Sequence, residues 1–477
     1  MLAARRVRRG APARGQRPWG PRRALAGAAF AVALVAAGCS GATTTSTPSG
    51  SPASSSARAA SGASARPSTA PSPASTRSDT AAASSPRLAT GATAGRANDE
   101  AGLRRLLDRR AQALADGDAG AWIATLGAQA SPALRSAQAQ AFTNLRRLPV
   151  TDFGYTSVGP VSATDRVRVE GRFSLAGYWT GTRTFTQVLT VQPPSAPGQR
   201  WGIVGVAEGP GRRQVWQLPH LQVAAGDRVL VAGNVAQKEL QAYQRLTQQA
   251  VDAVSSVWDD GWSGHVVVVV PNSVADFRTL SGLGTGSARR GVADVAAVTV
   301  GPVATGVPAA ADEVVVNPDA YAELRPDGRR VVVLHEVTHV ATRATTTADV
   351  PLWLSEGFAE YVAWSTVPVP TGQVAPDVLQ RVRAGVGPTA LPDRAMFEDS
   401  TATATRAYHE AWLYCRYLAD RFGRDQLVAY YRAAAQPGAD DADTRAAGAA
   451  IRVLGVPQQR LVGDWVTWLD DLARQGA

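Results

Sequence analysis

A chain of 477 residues is long enough for two or three domains. Its 49 Lys+Arg against 39 Asp+Glu give a formal +10, but residues 1–96 hold 13 Arg and one acid, Asp79, which leaves 36 basic and 38 acidic residues over 97–477. The surplus is confined to the amino terminus, so no nucleic-acid groove is expected. Two cysteines, Cys39 and Cys415, allow neither a disulfide framework nor a cysteine-rich metal site.

Residues 1–23 carry eight arginines and no acid, and Ala24–Gly38 then runs fifteen residues without a charge. That run is short for a bilayer-spanning helix, which needs about 20 residues, and it reads as a secretory signal over 1–38. Ser40 to Arg96 is Ser, Thr, Ala, Pro and Gly with scattered Arg, no aromatic and one large aliphatic residue, Leu88. Such a segment cannot bury enough apolar surface to offset its ordering entropy, so 39–96 is expected to be a disordered tether. The ending Ala36-Ala37-Gly38-Cys39 resembles a bacterial lipoprotein box, with Ala36 where Leu is usual. The resemblance implies lipidation of Cys39 and a membrane partner at the outer face of the cell membrane. An ordinary signal or an uncleaved anchor are the alternatives.

Asp99 can cap a helix whose Leu103, Leu106, Leu107 and Leu114 follow the helical period, with Gly117 as its stop. A second short helix is expected around Trp122, Ile123 and Leu126. The period then becomes two: Val167, Val169 and Phe173 alternate with Arg166, Arg168, Glu170 and Arg172, and further strands fit Arg183–Val191 and Trp201–Val206. Helices followed by an antiparallel sheet make an α+β unit over 97–213. This order resembles the cone-shaped folds of the nuclear-transport-factor-2-like superfamily. No convergent polar set stands out in it, which favours a spacer or docking domain.

Gly209-Pro210-Gly211 marks a boundary. Strands fit Arg228–Val231, Val266–Val270, Val295–Val300 and Glu313–Val316, with a long helix at Leu240, Tyr243, Leu246, Val254 and Trp258 after the first of them. A helix from Val331 follows the last, so 219–477 is expected to be a second α+β domain, strands first and helices afterwards.

That helix contains His335-Glu336-Val337-Thr338-His339. Histidines four apart share one helix face and can reach a single ion, while Glu336, one step round, can address a water beside it. A catalytic zinc needs a third protein ligand and an open position. The metzincin pattern would require Gly at 342 and His at 345, where Thr342 and Thr345 stand. Glu356, in Pro351-Leu352-Trp353-Leu354-Ser355-Glu356-Gly357-Phe358-Ala359-Glu360-Tyr361, can complete a His-His-Glu set on a helix whose first turn suits Pro351. Glu360, one turn on, can accept a hydrogen bond from a ligand histidine and fix its tautomer.

The two motifs together resemble the gluzincin metallopeptidases, the thermolysin-like and aminopeptidase-like group of the MA clan. The resemblance implies that His335, His339 and Glu356 bind zinc, that Glu336 is the general base, and that Glu360 supports a ligand. The methionine-containing strand by which the aminopeptidases hold a substrate amino terminus has no counterpart, since the only methionines are Met1 and Met396. An endopeptidase with a peptide or protein substrate is therefore expected.

Peptide hydrolysis also needs a donor for the oxyanion. The gluzincin resemblance implies a Tyr or His from a helix in this region, and the helix from Arg406 to Arg421, stopped at Gly423, offers Tyr408 first and His409 second; neighbours on a helix point about 100° apart, so one of the two is expected to face the metal. Cys415 on the same helix reads as a core residue, and His220 and His265 as non-functional. Two other readings are a catalytically silent scaffold lipoprotein and a zinc hydrolase acting on a cell-wall amide.

Overall fold

The structure, a computed structural model, describes residues 90–209, 211–259, 261–283, 295–302 and 306–475, with side chains from residue 100 onward. The expected signal, the expected lipidation at Cys39 and residues 39–89 of the expected tether lie outside the described residues. The described chain is α+β, with one antiparallel and one mixed sheet.

The first unit opens with α1 (Thr90–Asp116), α2 (Ala119–Ile123) and α3 (Pro132–Arg147). Residues 90–96 of the expected tether are helical, and Asp99 lies inside α1 instead of capping it. Ala92, Ala94 and Ala97 carry the helix back past that position because alanine loses least on becoming helical. Leu103, Leu106, Leu107 and Leu114 are buried, as their period requires. The Ser131 hydroxyl starts α3 by accepting from the Leu134 amide at 3.1 Å, with Pro132 in the first turn.

β1 (Val150–Val158), β2 (Arg166–Leu175), β3 (Arg183–Gln192) and β4 (Gly202–Glu208) form an antiparallel meander in that order. Val167, Val169, Phe173 and Leu175 of β2 and Phe185, Leu189 and Val191 of β3 share its buried face, while Arg166, Arg168 and Arg172 are exposed.

A single 3-10 turn, Val215–Gln217, leads into the second unit. Its strands and first helices are β5 (Gln222–Ala225), β6 (Val229–Gly233), α4 (Gln237–Ser255), β7 (Val266–Val270), α5 (Val274–Ser281), β8 (Ala297–Val300) and β9 (Glu313–Val316). The sheet runs β5-β6-β7-β9-β8, with β6, β7 and β9 parallel and the two outer strands antiparallel to their neighbours. β7 is five consecutive valines because both of its faces are buried: Val266, Val268 and Val270 join the core under the helices, Val267 and Val269 the core toward the first unit.

The helical part comprises α6 (Pro318–Ala322), α7 (Pro326–Arg343), α8 (Leu352–Thr366), α9 (Thr371–Val374), α10 (Pro376–Arg383), α11 (Arg394–Glu398), α12 (Thr401–Phe422), α13 (Arg424–Ala434), α14 (Ala442–Ala449) and α15 (Gln458–Arg474), with a π turn, Ala450–Leu454, before α15. α7 starts at Pro326, ahead of the expected Val331, because proline suits a first helical turn. Pro351 precedes α8 as its N-cap residue, and α12 starts at Thr401, where the Ser400 hydroxyl caps the Thr403 amide. Trp258 lies beyond α4, and its indole Nε1 donates to the Thr345 hydroxyl at 2.8 Å.

The two units share a core. Trp216 stands edge-on to Phe173 with ring centres 4.4 Å apart and packs against Phe185 and Phe153, while the same apolar cluster continues into Leu230, Ala232, Val267 and Val269 of the second sheet. The Asn144 amide donates to the carbonyls of Trp216 and Leu218, both at 2.8 Å. The segment after Gly211 is thus a wedge between the sheets, where the sequence suggests a simple boundary. No helix among the described residues is long and apolar enough to cross a membrane.

Candidate metal centre

Every residue of α7 from Val331 to Thr342 is buried, since the helix lies between the sheet, α4 and α8. His335 and His339 stand one turn apart with rings tilted 77° and Nε2 atoms 3.0 Å apart. α8 brings Glu356 against them, its Oε2 3.1 Å from His335 Nε2 and 3.3 Å from His339 Nε2. Donors about 2.0–2.1 Å from a tetrahedral cation stand about 3.3–3.4 Å from one another, so these spacings suit one small cation. The three ligand atoms lie within 4.8 Å of one another.

Glu356 Oε1 is buried without a hydrogen-bond partner. Burial by itself would raise the Glu356 pKa, but the charge of His339 and hydrogen bonds from both histidines outweigh it and hold the carboxyl below its usual range. Burial likewise disfavours charge on His335, and the acceptors Glu356 and Glu360 reverse that, raising its affinity for a proton. The field of the site therefore favours positive charge among these donors, and a carboxylate with a free oxygen beside two imidazoles fits a divalent cation. His339, at 8 % exposure against 1 % for the other two, marks the open side.

Glu360 Oε1 lies 3.3 Å from His335 Nδ1, close but off the hydrogen-bond direction, and its Oε2 accepts from the Trp364 indole. Glu360 thus stands beside His335 without making the expected hydrogen bond, and Trp364 anchors it, readable in retrospect as a donor one helical turn on. Glu336 does not join the three ligand atoms. Its Oε2 accepts from the Thr299 hydroxyl of β8 at 2.7 Å. Thr299 is a residue that the sequence reading missed, because nothing local connects it to a helix 37 positions later.

Gly357 decides how α12 approaches. A Cβ there would lie 2.4 Å from the Ala411 carbonyl oxygen, so only glycine allows α8 and α12 this contact. On α12, Tyr408 is buried against the site, with ring centres 6.4 Å from His335 and 5.1 Å from Phe397. His409 turns to α10, where its Nδ1 lies 2.8 Å from Asp377 Oδ1. Glu410 is buried beside them, and burial, opposed by Arg406, pushes its carboxyl up to about 7. Cys415 is fully buried, and burial pushes its thiol above the ordinary range. His220 is exposed and His265 stands beside Tyr178, both apart from the cluster.

The sequence matches no known protein-family description and no curated protein.

Proposed function

We propose that the chain is a zinc-dependent metallopeptidase of the gluzincin type, acting as an endopeptidase on peptide or protein substrates. What carries this reading is the buried, mutually facing donor set of His335, His339 and Glu356, with an oxygen of Glu356 left unpartnered. A bound zinc would polarise the scissile carbonyl and acidify a water, and these three residues would hold it. Glu336 takes the proton of the attacking water and returns it to the leaving amine, which needs a carboxylate fixed near the cation but outside its ligand set. The Glu360 carboxylate, 3.3 Å from His335 Nδ1, favours a proton on that nitrogen by its charge and so leaves Nε2 to the metal. Tyr408, whose ring centre lies 6.4 Å from that of His335, is the donor proposed for the oxyanion, and His409 is the second candidate.

The first unit is read as a nuclear-transport-factor-2-like cone whose interior is closed by Trp216. The amino terminus is read as a lipoprotein signal that leaves Cys39 acylated, which holds the folded units at the outer face of the membrane through the tether. A stable anchor takes two acyl chains, since one gives only marginal attachment.

The test is metal content and hydrolysis of a peptide mixture by the full chain and by Glu356→Ala. One zinc per chain with turnover in the wild type, and loss of both in the variant, supports the reading. Zinc without hydrolysis of any peptide moves the assignment to a scaffold lipoprotein, and activity on cell-wall amides alone moves it to a non-peptide hydrolase. Labelled fatty acid should enter the wild type and not Cys39→Ser.

A further inference from the structure

Strand β8 and the segment leading into β9 grip α7 at two points. Midway, the Thr299 hydroxyl lies 2.7 Å from Glu336 Oε2 and 3.1 Å from the Glu336 carbonyl oxygen. At the helix end, the Arg343 guanidinium clasps the Asp312 carboxylate through Nε at 2.7 Å and Nη2 at 3.0 Å, and the Ala309 amide donates to the Arg343 carbonyl at 2.8 Å.

The opposite side of the same strands is held by the first unit. Arg183 of β3, with its side chain 4 % exposed, pairs with the equally buried Glu313 of β9. Its guanidinium also donates to the Ala311 carbonyl at 2.8 Å and to the carbonyl of Val300, the residue after Thr299. The Trp179 indole donates to the Asp312 carbonyl at 2.9 Å, and the Thr180 and Gly181 amides donate to the Ala310 carbonyl at 3.0 and 3.1 Å. A Cβ at 181 would come within 2.5 Å of the Ala310 Cβ, so glycine is what permits this contact.

A buried ion pair is expensive to desolvate and gains little net stability over apolar packing, so its worth lies in fixing geometry. The geometry fixed here is that of Val300 and Glu313, which are paired across β8 and β9 one position from Thr299. We propose, resting on the peptidase reading, that the first unit sets the aim of the general base: Arg183 holds β8 and β9 in place, and Thr299 holds the Glu336 carboxylate. Both are positioning residues. A catalytic group displaced by about 1 Å loses on the order of 10²-fold in rate, so a remote clamp of this kind acts on turnover and not on metal binding.

The test uses the full chain with Thr299→Val, Thr299→Ser, Arg183→Met and the paired replacement Arg183→Met with Glu313→Leu, which removes both members of the pair if the single variant fails to fold and leaves Arg212, 3.7 Å from Glu313, with Asp312 as its nearby carboxylate. Read out are kcat and KM separately, zinc per chain, and amide hydrogen exchange over 297–300 and 309–313. Expected for Thr299→Val is a fall in kcat of about 10–100-fold with KM and zinc unchanged, restored by Thr299→Ser. The paired variant should lower kcat by about 10-fold and speed exchange in both segments. An active wild type whose valine and paired variants keep full kcat overturns the proposal. Loss of zinc or of folding in step with kcat also overturns it, as a merely structural role. A wild type without peptide turnover sinks the peptidase reading and, with it, base positioning; unchanged exchange in the paired variant sinks the clamp whatever the activity.

Discussion

In the first unit Arg110 is 4 % exposed and its partners among the described residues are the neutral Thr125, Gln138 and Tyr155; in the second Glu356 is 1 % exposed among imidazoles. Arg110 donates to the Thr125 hydroxyl at 2.8 Å and to the Gln138 side chain, and lies 3.4 Å over the Trp122 ring. The acceptors are themselves engaged: Thr125 donates to the Trp122 carbonyl at 2.6 Å and the Trp122 indole to the Gln138 carbonyl at 3.0 Å. Burial lowers the Arg110 pKa, yet every group around the cation has a use within the fold. Around Glu356 the set stays incomplete, with Oε1 unpartnered and two histidine Nε2 atoms 3.0 Å apart. A buried charge closed by neutral partners is a device of folding, whereas a buried carboxylate oxygen without a partner beside two imidazoles is the arrangement on which the proposed metal site rests.

The contrast breaks most sharply at Glu336. Replacing Glu336 by Gln should lower peptide turnover by about 10²–10⁴-fold while zinc per chain stays at one, because an amide cannot accept the water's proton. Turnover equal to wild type would remove the base from its role. Replacing Arg110 by Met should do the reverse, costing about 2–4 kcal/mol in denaturant unfolding while metal affinity stays unchanged, since Thr125 and Gln138 lose their buried donor. A change in metal affinity there would mean that the two networks are coupled.

Glu360→Gln sharpens the comparison within the second region. Zinc affinity should fall by about 10–100-fold without loss of folding, measured by competition with a chelator. A comparable effect, on stability alone, concerns Glu410, buried beside Arg406, Asp377, Arg381 and His409. Its carboxyl is raised from 4.5 to about 7, chiefly by burial. The protonated form is therefore the one the fold favours, and its contribution is fully present below the ordinary carboxylate range and lost as pH rises through about 7. Glu410→Gln should flatten the decline in stability between pH 5 and pH 8 by about 1–3 kcal/mol, read from unfolding midpoints at the two pH values.

Much of the site is legible along the chain because it is built from helical repeats. His335 and His339 meet by being one turn apart, and Glu356 and Glu360 share a face for the same reason. The strands β2, β3 and β7 are equally legible, since alternation or an unbroken run of valines states which faces are buried. β1 is not, because Val150–Val158 has few apolar residues and its register on β2 shifts twice, so pairing and not pattern makes it a strand. α3 escapes notice because it is rich in Ala and Gln, with Phe142 and Leu145 as its buried apolar side chains.

By itself the sequence determined the α+β class and the helix that carries His335, Glu336 and His339, which follow from periods of 2 and 3.6 residues acting over short distances, and it singled out Glu356 through the second motif. Only the tertiary structure decided that Tyr408 and not His409 lies on the side of His335, because the choice belongs to Asp377 on another helix. It also decided that Thr299 holds Glu336, that Trp216 joins two cores, and that Arg183 of one unit fixes strands of the other. Those contacts join residues far apart in the chain, and no local spacing encodes a hydrogen bond whose geometry is set by where two separately folded layers come to rest.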